Sequence, residues 1–300
     1  MYIGIDVGVS HIGIGLLDQN AEIQDKLVIQ LDNAQKRATI ISIMIEGIQN
    51  IITRNKLNIN QIKNIGLGVP GIVMGDVWKK ANYLKIDDVP IVEILKKKFP
   101  IPIYLDNDSN CAAIGEQKCG VFREKENAVL ITVGSGIGGA IITNGKLFKG
   151  ANHSAAEFGH IKIMNNSLLC SCGQVGCLST LASMKALRRR IEEGLKLDSI
   201  NNDDVKKLLV QKDSIAIKEF YIQLSYLKVL ISNIITVFDP EIIAIGGGFS
   251  YFQEFMPQDY IEQIKHTIYC KDSNCEVVFA THCNNAGIIG AAFQRENGEE

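Results

Sequence analysis

The residues best suited to chemistry lie in one short segment, Cys170 to Cys177, which reads C-S-C-G-Q-V-G-C. His160 lies just upstream of it, at the end of the sequence E-F-G-H. Three thiolates and one imidazole suffice for a closed tetrahedral zinc site, and the two glycines let the backbone turn so that the sulfur atoms converge. Buried thiols packed as small hydrophobes are the alternative, but glycines between closely spaced cysteines favour a metal. The pattern predicts a structural zinc site with the ligands His160, Cys170, Cys172 and Cys177.

Glycine-rich loops follow apolar strands at three places. The first is Gly8-Val9-Ser10-His11, whose amides and hydroxyl could bind phosphate while Asp6 holds a hydrated magnesium ion. The second, Gly134 to Gly139, is followed by a strand and not by a helix, which excludes a dinucleotide fingerprint. The third, Gly246 to Ser250, offers bare backbone to a base or ribose, although a strand-to-helix turn is the alternative. The repeated strand-loop-strand unit predicts a duplicated fold with one phosphate loop in each half.

Asp108 is the candidate general base. The segment 101–105 predicts a strand, and a helix is expected from about Cys111, so Asp108 lies where ligands of open α/β sheets collect. Helix capping is the usual role of Asp at such a position, and the helix dipole would lower its pKa. Phosphoryl transfer tolerates this, because its loose transition state needs a positioned acceptor more than a strong base.

Strand and helix patterns alternate along the chain, which predicts a largely α/β protein. Helices are expected at 34–53, 91–98, 111–119, 181–197, 203–211, 215–238 and 285–294, and strands at 3–8, 12–17, 62–69, 101–105, 127–133, 140–143, 241–245 and 276–280.

Bulk composition describes an ordinary globular protein of one large or two medium domains, with 300 residues, 46% hydrophobic and 21% charged. The net charge of −2 gives no basic field for nucleic acid, and the run Arg188 to Arg190 is interpreted as a solvated helix face. The most apolar helical stretch, Ile40 to Ile52, is interrupted by polar residues and too short to span a membrane. The N-terminus has no basic region of a signal peptide, and eight cysteines in this context fit reduced thiols. We therefore expect a cytoplasmic protein.

Taken together, the motifs resemble the ROK family (repressor, open reading frame, kinase) of the sugar kinase, actin and Hsp70 superfamily. The resemblance covers essentially the whole chain in the expected order. Its motifs are D-V-G-V-S at Asp6, V-P-G at Val69, N-D-S-N at Asn107, T-V-G-S-G-I-G-G at Thr132, E-F-G-H at Glu157, C-S-C-G-Q-V-G-C at Cys170 and I-G-G-G at Ile245.

This resemblance implies an α/β, two-domain, actin-like (ribonuclease H-like) sugar kinase fold with a cleft between the lobes. Residues 1–117 would form the small N-terminal domain, with a C-terminal helix at about 285–298 packed back on it. Residues 118–284 would form the larger domain, which carries the zinc site. The family also implies a homodimer.

The implied activity is an ATP-dependent hexokinase that uses MgATP and a small-molecule sugar, with no nucleic-acid or membrane partner. Asp108 would accept the proton of the sugar 6-hydroxyl, Asp6 would place magnesium, and His160 would bind zinc through one ring nitrogen and a hydroxyl through the other. The implied sugar-binding residues are Gly71, Asn82, Asn107, Asp108, Glu157 and His160. The implied residues for phosphates, magnesium and adenosine are Asp6, Gly8, Ser10, Gly134, Ser135, Gly136, Gly138, Gly246, Gly247 and Gly248.

Three departures from the family pattern bear on activity and substrate. Val9 replaces the second glycine of the usual Gly-Gly-Thr, which predicts weaker MgATP binding. Ser179 replaces a glutamate that contacts the sugar in the family, and the segment 152–156 holds less glycine than usual. Glucose is the default substrate, while N-acetylmannosamine, allose, fructose and a glucoside remain open.

Two other classes of function remain open. The first is a transcriptional regulator, although family repressors carry an added N-terminal helix-turn-helix domain and this chain starts on its first strand. The second is a sugar-binding relative that has lost catalysis through the changes at Val9 and Ser179.

Overall fold

The computed structural model describes residues 1–31, 37–163, 167–281 and 285–294. The chain divides into two compact units. The first comprises Met1–Glu126, Ala140–Ala155 and Thr281–Glu300, and the second comprises Asn127–Gly139 and Ala156–Ala280. Residues 295–298 of the expected C-terminal helix lie outside the described residues.

The first unit is built on a five-stranded sheet. Its strands are β1 (Tyr2–Val7), β2 (His11–Leu17), β3 (Ile23–Gln30), β4 (Ile65–Val69) and β8 (Ile103–Asn107), in the order β3-β2-β1-β4-β8. Strands β1, β2 and β3 pair antiparallel, whereas β1, β4 and β8 run parallel. Parallel strands end at one edge of a sheet, so the segments after β1 and β8 emerge on the same side.

A small antiparallel sheet follows β4 and was not expected from the sequence. It consists of β5 (Ile72–Met74), β6 (Val77–Ala81) and β7 (Ile86–Val89), and the short 3-10 turn Asn82–Leu84 lies between the last two strands. Trp78 anchors it, since its ring is fully buried and its indole N–H donates to the carbonyl of Pro70 at 2.9 Å. The ring packs in one core cluster with the buried residues Val73, Ile86 and Val89 of the same three strands.

Four helices complete the first unit: α1 (Arg37–Arg54), α2 (Ile91–Lys96), α3 (Asp108–Cys119) and α9 (Ala286–Ala292). Helix α9 packs with its backbone directly on the sheet, because glycines face it. A Cβ at Gly4 would lie 1.9 Å from the carbonyl oxygen of Ile288, and one at Gly66 would lie 1.7 Å from that of Ala291. Only glycine allows so close an approach.

The second unit contains a parallel sheet and most of the helices. Strands β9 (Ala128–Val133), β12 (Ile242–Gly246) and β13 (Glu276–Phe279) run parallel, with β12 in the middle. Strand β10 (Ile137–Thr143) begins in this unit beside β9 and continues into the first unit, where it forms a hairpin with β11 (Lys146–Leu147). The helices of the second unit are α4 (Ser179–Ala182), α5 (Met184–Leu195), α6 (Asn202–Val210), α7 (Ser214–Phe238) and α8 (Tyr260–Lys265).

The α/β prediction is confirmed, and most elements lie where the sequence placed them. The single helix expected at 181–197 is wrong. It is divided at Ser183, whose extended backbone ends α4 and whose hydroxyl accepts from the N–H of Ala186 to cap α5. The third glycine loop is also not an open loop, because a 3-10 helix begins at Gly247 and ends at Phe255.

Helix α7 is the one described helix whose length and composition would suffice to cross a membrane. Half of its most apolar window is buried inside the protein, and the buried residues Phe220, Leu224, Leu227 and Ile231 recur at helical spacing. This is the pattern of a core helix. The sequence interpretation was wrong in taking 40–52 as the most apolar helical stretch.

Candidate active site

Asp108 lies at the junction of β8 and α3, and its neighbour Asn107 caps the helix. The Asn107 Oδ1 accepts from the N–H groups of Ser109 at 2.8 Å and Asn110 at 3.3 Å. Asp108 is the first residue of α3, and its Oδ1 accepts from the Ser109 N–H at 2.8 Å. The capping role that the sequence offered as the alternative for Asp108 therefore belongs to Asn107.

Asn107 also joins the end of β8 to Gly71. Its Nδ2 donates to the carbonyl of Gly71 at 2.9 Å. Gly71 has a φ of +87°, and a Cβ there would lie 2.1 Å from the carbonyl oxygen of Lys80, so only glycine fits. Asn82 follows Lys80 by two positions, as the first residue of its 3-10 turn. The structure thus places Gly71 between Asn107 and the strand that leads to Asn82.

A buried ion pair behind Asn107 was not foreseen from the sequence. Asp106 is 6% exposed, and its Oδ2 lies 3.0 Å from Nζ of Lys149. Its Oδ1 accepts from the backbone of Asn107 at 2.7 Å and from Nδ2 of Asn110 at 2.8 Å. A buried carboxylate with this many partners fixes the local backbone, and here it fixes the segment that carries Asp108.

Asp6 is the penultimate residue of β1 and an electrostatic neighbour of Asp108. Burial first and the charge of Asp108 second raise the pKa of the Asp6 carboxyl to about 7, against an opposing effect of Lys26. Its carboxyl packs on the start of α9, where a Cβ at Gly287 would lie 2.7 Å from Cγ of Asp6. Two carboxylates that repel each other attract a divalent cation, which removes the repulsion.

The turn after β1 holds the first glycine loop. The N–H of Gly8 donates to the carbonyl of His11 at 2.8 Å, and the exposed Ser10 has its hydroxyl 3.2 Å from Nδ1 of His11. Burial first and Lys26 second lower the pKa of His11.

In the second unit, the loop between β9 and β10 is tied down by Ser179. The Ile137 N–H donates to Oγ of Ser179 at 3.0 Å, and the Gly134 carbonyl accepts from the Met184 N–H at 2.9 Å. A Cβ at Gly159 would lie 2.2 Å from the same Oγ. Ser179 therefore links the second glycine loop to the E-F-G-H segment, a role that its sequence position did not reveal. Ser135 remains exposed at the tip of this loop.

The third glycine motif packs against the second. Gly247 has a φ of +77°, and a Cβ there would lie 2.8 Å from the carbonyl oxygen of Val133 at the end of β9. A Cβ at Gly248 would lie 3.4 Å from Nδ2 of Asn202. Gly247 thus packs on the backbone at the end of β9, directly before the second glycine loop.

The predicted zinc ligands converge in the second unit. The ligand atoms of His160, Cys170, Cys172 and Cys177 all lie within 4.8 Å of one another. The Sγ of Cys170 is 3.7 Å from Nδ1 of His160, and the two other sulfur atoms are 3.7 Å apart. Zinc–sulfur bonds of about 2.3 Å in a tetrahedron require sulfur–sulfur distances of about 3.8 Å. The donor set and its spacing therefore fit one zinc ion.

The second ring nitrogen of His160 faces Glu157. Its Nε2 lies 3.9 Å from Oε2 of Glu157. Burial raises the pKa of the Glu157 carboxyl, while burial and then the charge of Lys162 lower the pKa of His160. A neutral imidazole is the form that binds zinc.

Lys162 is a further neighbour of the cysteines. Its Nζ donates to Sγ of Cys177 at 2.9 Å and to the carbonyl of Val175 at 2.7 Å. Three thiolates and a neutral imidazole around Zn²⁺ carry one net negative charge, which this ammonium group balances.

The arginine run is not a solvated face, so that interpretation was wrong. Nε of Arg190 lies 2.8 Å from Oε2 of Glu219, and both side chains are mostly buried, at 15% and 13% exposed. Arg190 and Gln223 also donate to the carbonyls of Leu181 and Ala182. These contacts satisfy the C-terminal carbonyls of α4 and fix the short helix that begins at Ser179.

The predicted site residues are divided between the two units. The group of the first unit is Asp6, Gly8, Ser10, Gly71, Asn82, Asn107 and Asp108. The group of the second unit is Gly134, Ser135, Gly136, Gly138, Glu157, His160, Cys170, Cys172, Cys177, Gly246, Gly247 and Gly248.

Comparison with known proteins identifies the fold and the family. A ROK family glucokinase from Streptomyces griseus, solved in complex with glucose and AMPPNP, matches with a TM-score of 0.86 and 25% identity over 99% of each chain. The fold is the two-domain, actin-like fold of sugar kinases, as predicted. The profile of the ROK family matches residues 2–296, and the chain belongs to this family.

Its relatives include both enzymes and regulators. A glucokinase from Halalkalibacterium halodurans is 30% identical over 100% of this chain and 97% of its own length. A putative xylose repressor from a Caldicellulosiruptor species is 31% identical over 90% of this chain and 70% of its own length.

Proposed function

We propose that this ROK protein is an ATP-dependent sugar kinase that phosphorylates the 6-hydroxyl of a hexose, with glucose as the first candidate. One observation carries the proposal: Asp108 at the start of α3 lies near enough to Asp6, close to the end of β1, for its charge to raise the pKa of Asp6, and Asn107 caps α3 in place of Asp108. A purely structural Asp108 would be expected to cap the helix itself. The glucokinase relatives support the same activity.

In the proposed reaction, Asp108 accepts the proton of the sugar hydroxyl while that oxygen attacks the γ-phosphorus of ATP. The bond between the γ-phosphorus and the β,γ-bridging oxygen breaks, and ADP leaves. Asp6 would hold magnesium, which would neutralise charge on the triphosphate. The Lys149–Asp106 ion pair holds the start of α3, so that Asp108 is positioned before substrate arrives.

The sugar contacts are proposed for Gly71, Asn82, Asn107, Glu157 and His160, and the phosphate and nucleoside contacts for the three glycine motifs. Ser179 is not proposed as a sugar contact, since its hydroxyl accepts from Ile137. A serine in place of the family's glutamate removes one polar contact that would discriminate against other sugars. This supports a substrate specificity broader than glucose alone.

Zinc is proposed as a structural ion that fixes Nδ1 of His160 and leaves Nε2 toward Glu157 and a sugar hydroxyl. We further propose a cytoplasmic homodimer, following the family resemblance. The thiol state of the described cysteines agrees with a reducing compartment.

The second candidate is a sugar-responsive regulator, favoured by the identity with the putative xylose repressor. Such a protein would bind a sugar without turnover. The presence of Asp108 beside Asp6 favours the kinase.

The test is product identification by ³¹P NMR after incubation with MgATP and single sugars. The panel contains glucose, N-acetylmannosamine, allose, fructose, a methyl glucoside and xylose. We expect one hexose to give a phosphomonoester coupled to the C6 protons. The matched 6-deoxy sugar, which lacks only the reacting hydroxyl, should give none. Zinc-loaded protein that binds a sugar by calorimetry but forms no phosphomonoester with any member would overturn the kinase in favour of the regulator.

A further inference from the structure

Lys26 is a half-buried cation that forms no ion pair within the described part of the chain. Its Nζ donates to Oδ1 of Asn285 at 2.6 Å, and Asn285 carries no charge. Among the described residues, no carboxylate forms an ion pair with this ammonium group, so two of its three N–H groups have no protein acceptor there. Desolvating a lysine in this way is unfavourable unless an anion binds it.

The sheet register places Lys26 on the same face as Asp6. Lys26 on β3 is paired with Gly15 on β2, and Asp6 on β1 is paired with Gly13 on β2. Both glycines face α9, since a Cβ at Gly15 or Gly13 would lie 2.5 or 2.9 Å from the Ile288 side chain. Directly paired residues point to the same side of a sheet, so Lys26 and Asp6 both extend toward α9.

The start of α9 brings the two side chains to the same place. Asn285 holds the ammonium group of Lys26, and Gly287, two residues later, packs against the carboxyl of Asp6. The charge of Lys26 influences Asp6 and also His11 in the first glycine loop. A cation thus lies beside the segment for which phosphate binding is proposed.

We propose that Lys26 is a phosphate-binding residue of the nucleotide site, whose ammonium group donates to a non-bridging oxygen of the ATP phosphate chain beside Asp6. This rests on the proposed kinase function and deepens it. Val9 replaces a glycine in the first loop, which predicts weaker phosphate binding by the backbone. Lys26 of β3 supplies a charged donor on the same face of the sheet as Asp6.

The test measures binding of tripolyphosphate and of ADP to zinc-loaded protein by calorimetry, in buffer without magnesium, so that Asp6-bound magnesium does not contribute. We expect Lys26→Gln to weaken both ligands about 10- to 100-fold, as for the loss of a hydrogen bond to a charged group. Lys26→Arg should stay within a few-fold of wild type. Lys63→Gln is the matched control, because Lys63 is exposed and donates to the Tyr2 hydroxyl instead.

A double variant separates phosphate binding from simple neutralisation of Asp6. Asp6→Asn with Lys26→Gln removes one charge of each sign. If Lys26 contacts phosphate, the double variant stays as weak as Lys26→Gln, and in turnover assays Lys26→Gln raises KM for ATP but not for the sugar. Recovery of wild-type affinity in the double variant, or unchanged affinity in Lys26→Gln, would overturn the inference while leaving the kinase intact. Zinc-loaded wild-type protein that binds neither ligand without magnesium would overturn the inference, and failure to bind MgATP as well would overturn the kinase function too.

Discussion

At the scale of single residues, the sequence predicts which side chains could do chemistry more readily than it predicts the side chains that they contact. The zinc ligands could be named because a Cys3His set needs only local spacing, and the four atoms converge as predicted. Asp108 could be placed at a helix start, but which residue caps that helix depends on side-chain rotamers. Lys149 contacts Asp106 and Asn285 contacts Lys26. Both come from segments far away in sequence, so no local pattern predicts these contacts.

Asp6 predicts a pH dependence of stability. Its folded pKa of about 7 lies above the ordinary value of 3.8, so folding disfavours its ionised form. Below pH 3.8 Asp6 is protonated in both the folded and the unfolded state, so it does not change the free energy of unfolding. Between that pH and about 7, Asp6 is ionised in the unfolded chain but still protonated in the folded protein, so the free energy of unfolding falls as the pH rises. Above about pH 7 Asp6 is ionised in both states, and its unfavourable contribution to the free energy of unfolding stays constant.

We therefore expect Asp6→Asn to be more stable than wild type at pH 8, by about 1–3 kcal/mol after allowance for relaxation, and to lose most of this advantage near pH 5. Urea unfolding of both proteins at the two pH values measures the difference. Asp272→Asn, a change of an exposed carboxylate, serves as the control. A difference that does not vary with pH would contradict the environment assigned to Asp6.

At the scale of elements, the sequence located the glycine loops but not what holds them. A strand-loop-strand pattern identifies a loop because glycine and β-branched residues alternate locally. Its supports come from α4 and from buried side chains of α5 and α7. Helix α4 is one turn long, and a single turn is not stable without such tertiary contacts. The hydrophobic periodicity of the sequence does not show those contacts, and it therefore predicted α4 and α5 as one helix.

Ser179→Ala tests the support of the second loop. The change leaves the buried Ile137 N–H without its acceptor, which should lower the free energy of unfolding by about 1–3 kcal/mol. The loop should also hold phosphate less well, so KM for ATP should rise several-fold with little change in KM for the sugar. Urea unfolding and steady-state kinetics provide the two values.

Ser225→Ala is the matched control, because it removes an exposed hydroxyl on α7. A rise in KM for the sugar alone would instead assign Ser179 to the sugar site.

At the scale of the whole molecule, the order of the motifs along the chain predicted the fold. Seven motifs in the family order predicted the ROK family, and the family profile confirms it over residues 2–296. The packing of α9 on the sheet of the first unit depends on Gly4 and Gly66. Both lack a Cβ atom, which would clash with the backbone of α9. Family membership alone leaves kinase and regulator open, since both kinds of relative match the chain.

The choice between them depends on Asp108. If it accepts the proton of the sugar hydroxyl, removing its charge should abolish turnover and spare binding. Asparagine has the same shape and can still accept from Ser109, so α3 should keep its start. The expected loss is about 10²- to 10⁴-fold in kcat, the usual contribution of a positioned general base.

The most direct measurement is kcat for sugar-dependent ADP release by wild type and Asp108→Asn, with MgATP and sugar affinities determined by calorimetry on the same preparations. We predict a loss of at least about 100-fold in kcat with both affinities within a few-fold of wild type. Turnover by Asp108→Asn within about tenfold of wild type would contradict the assignment of Asp108 as the base.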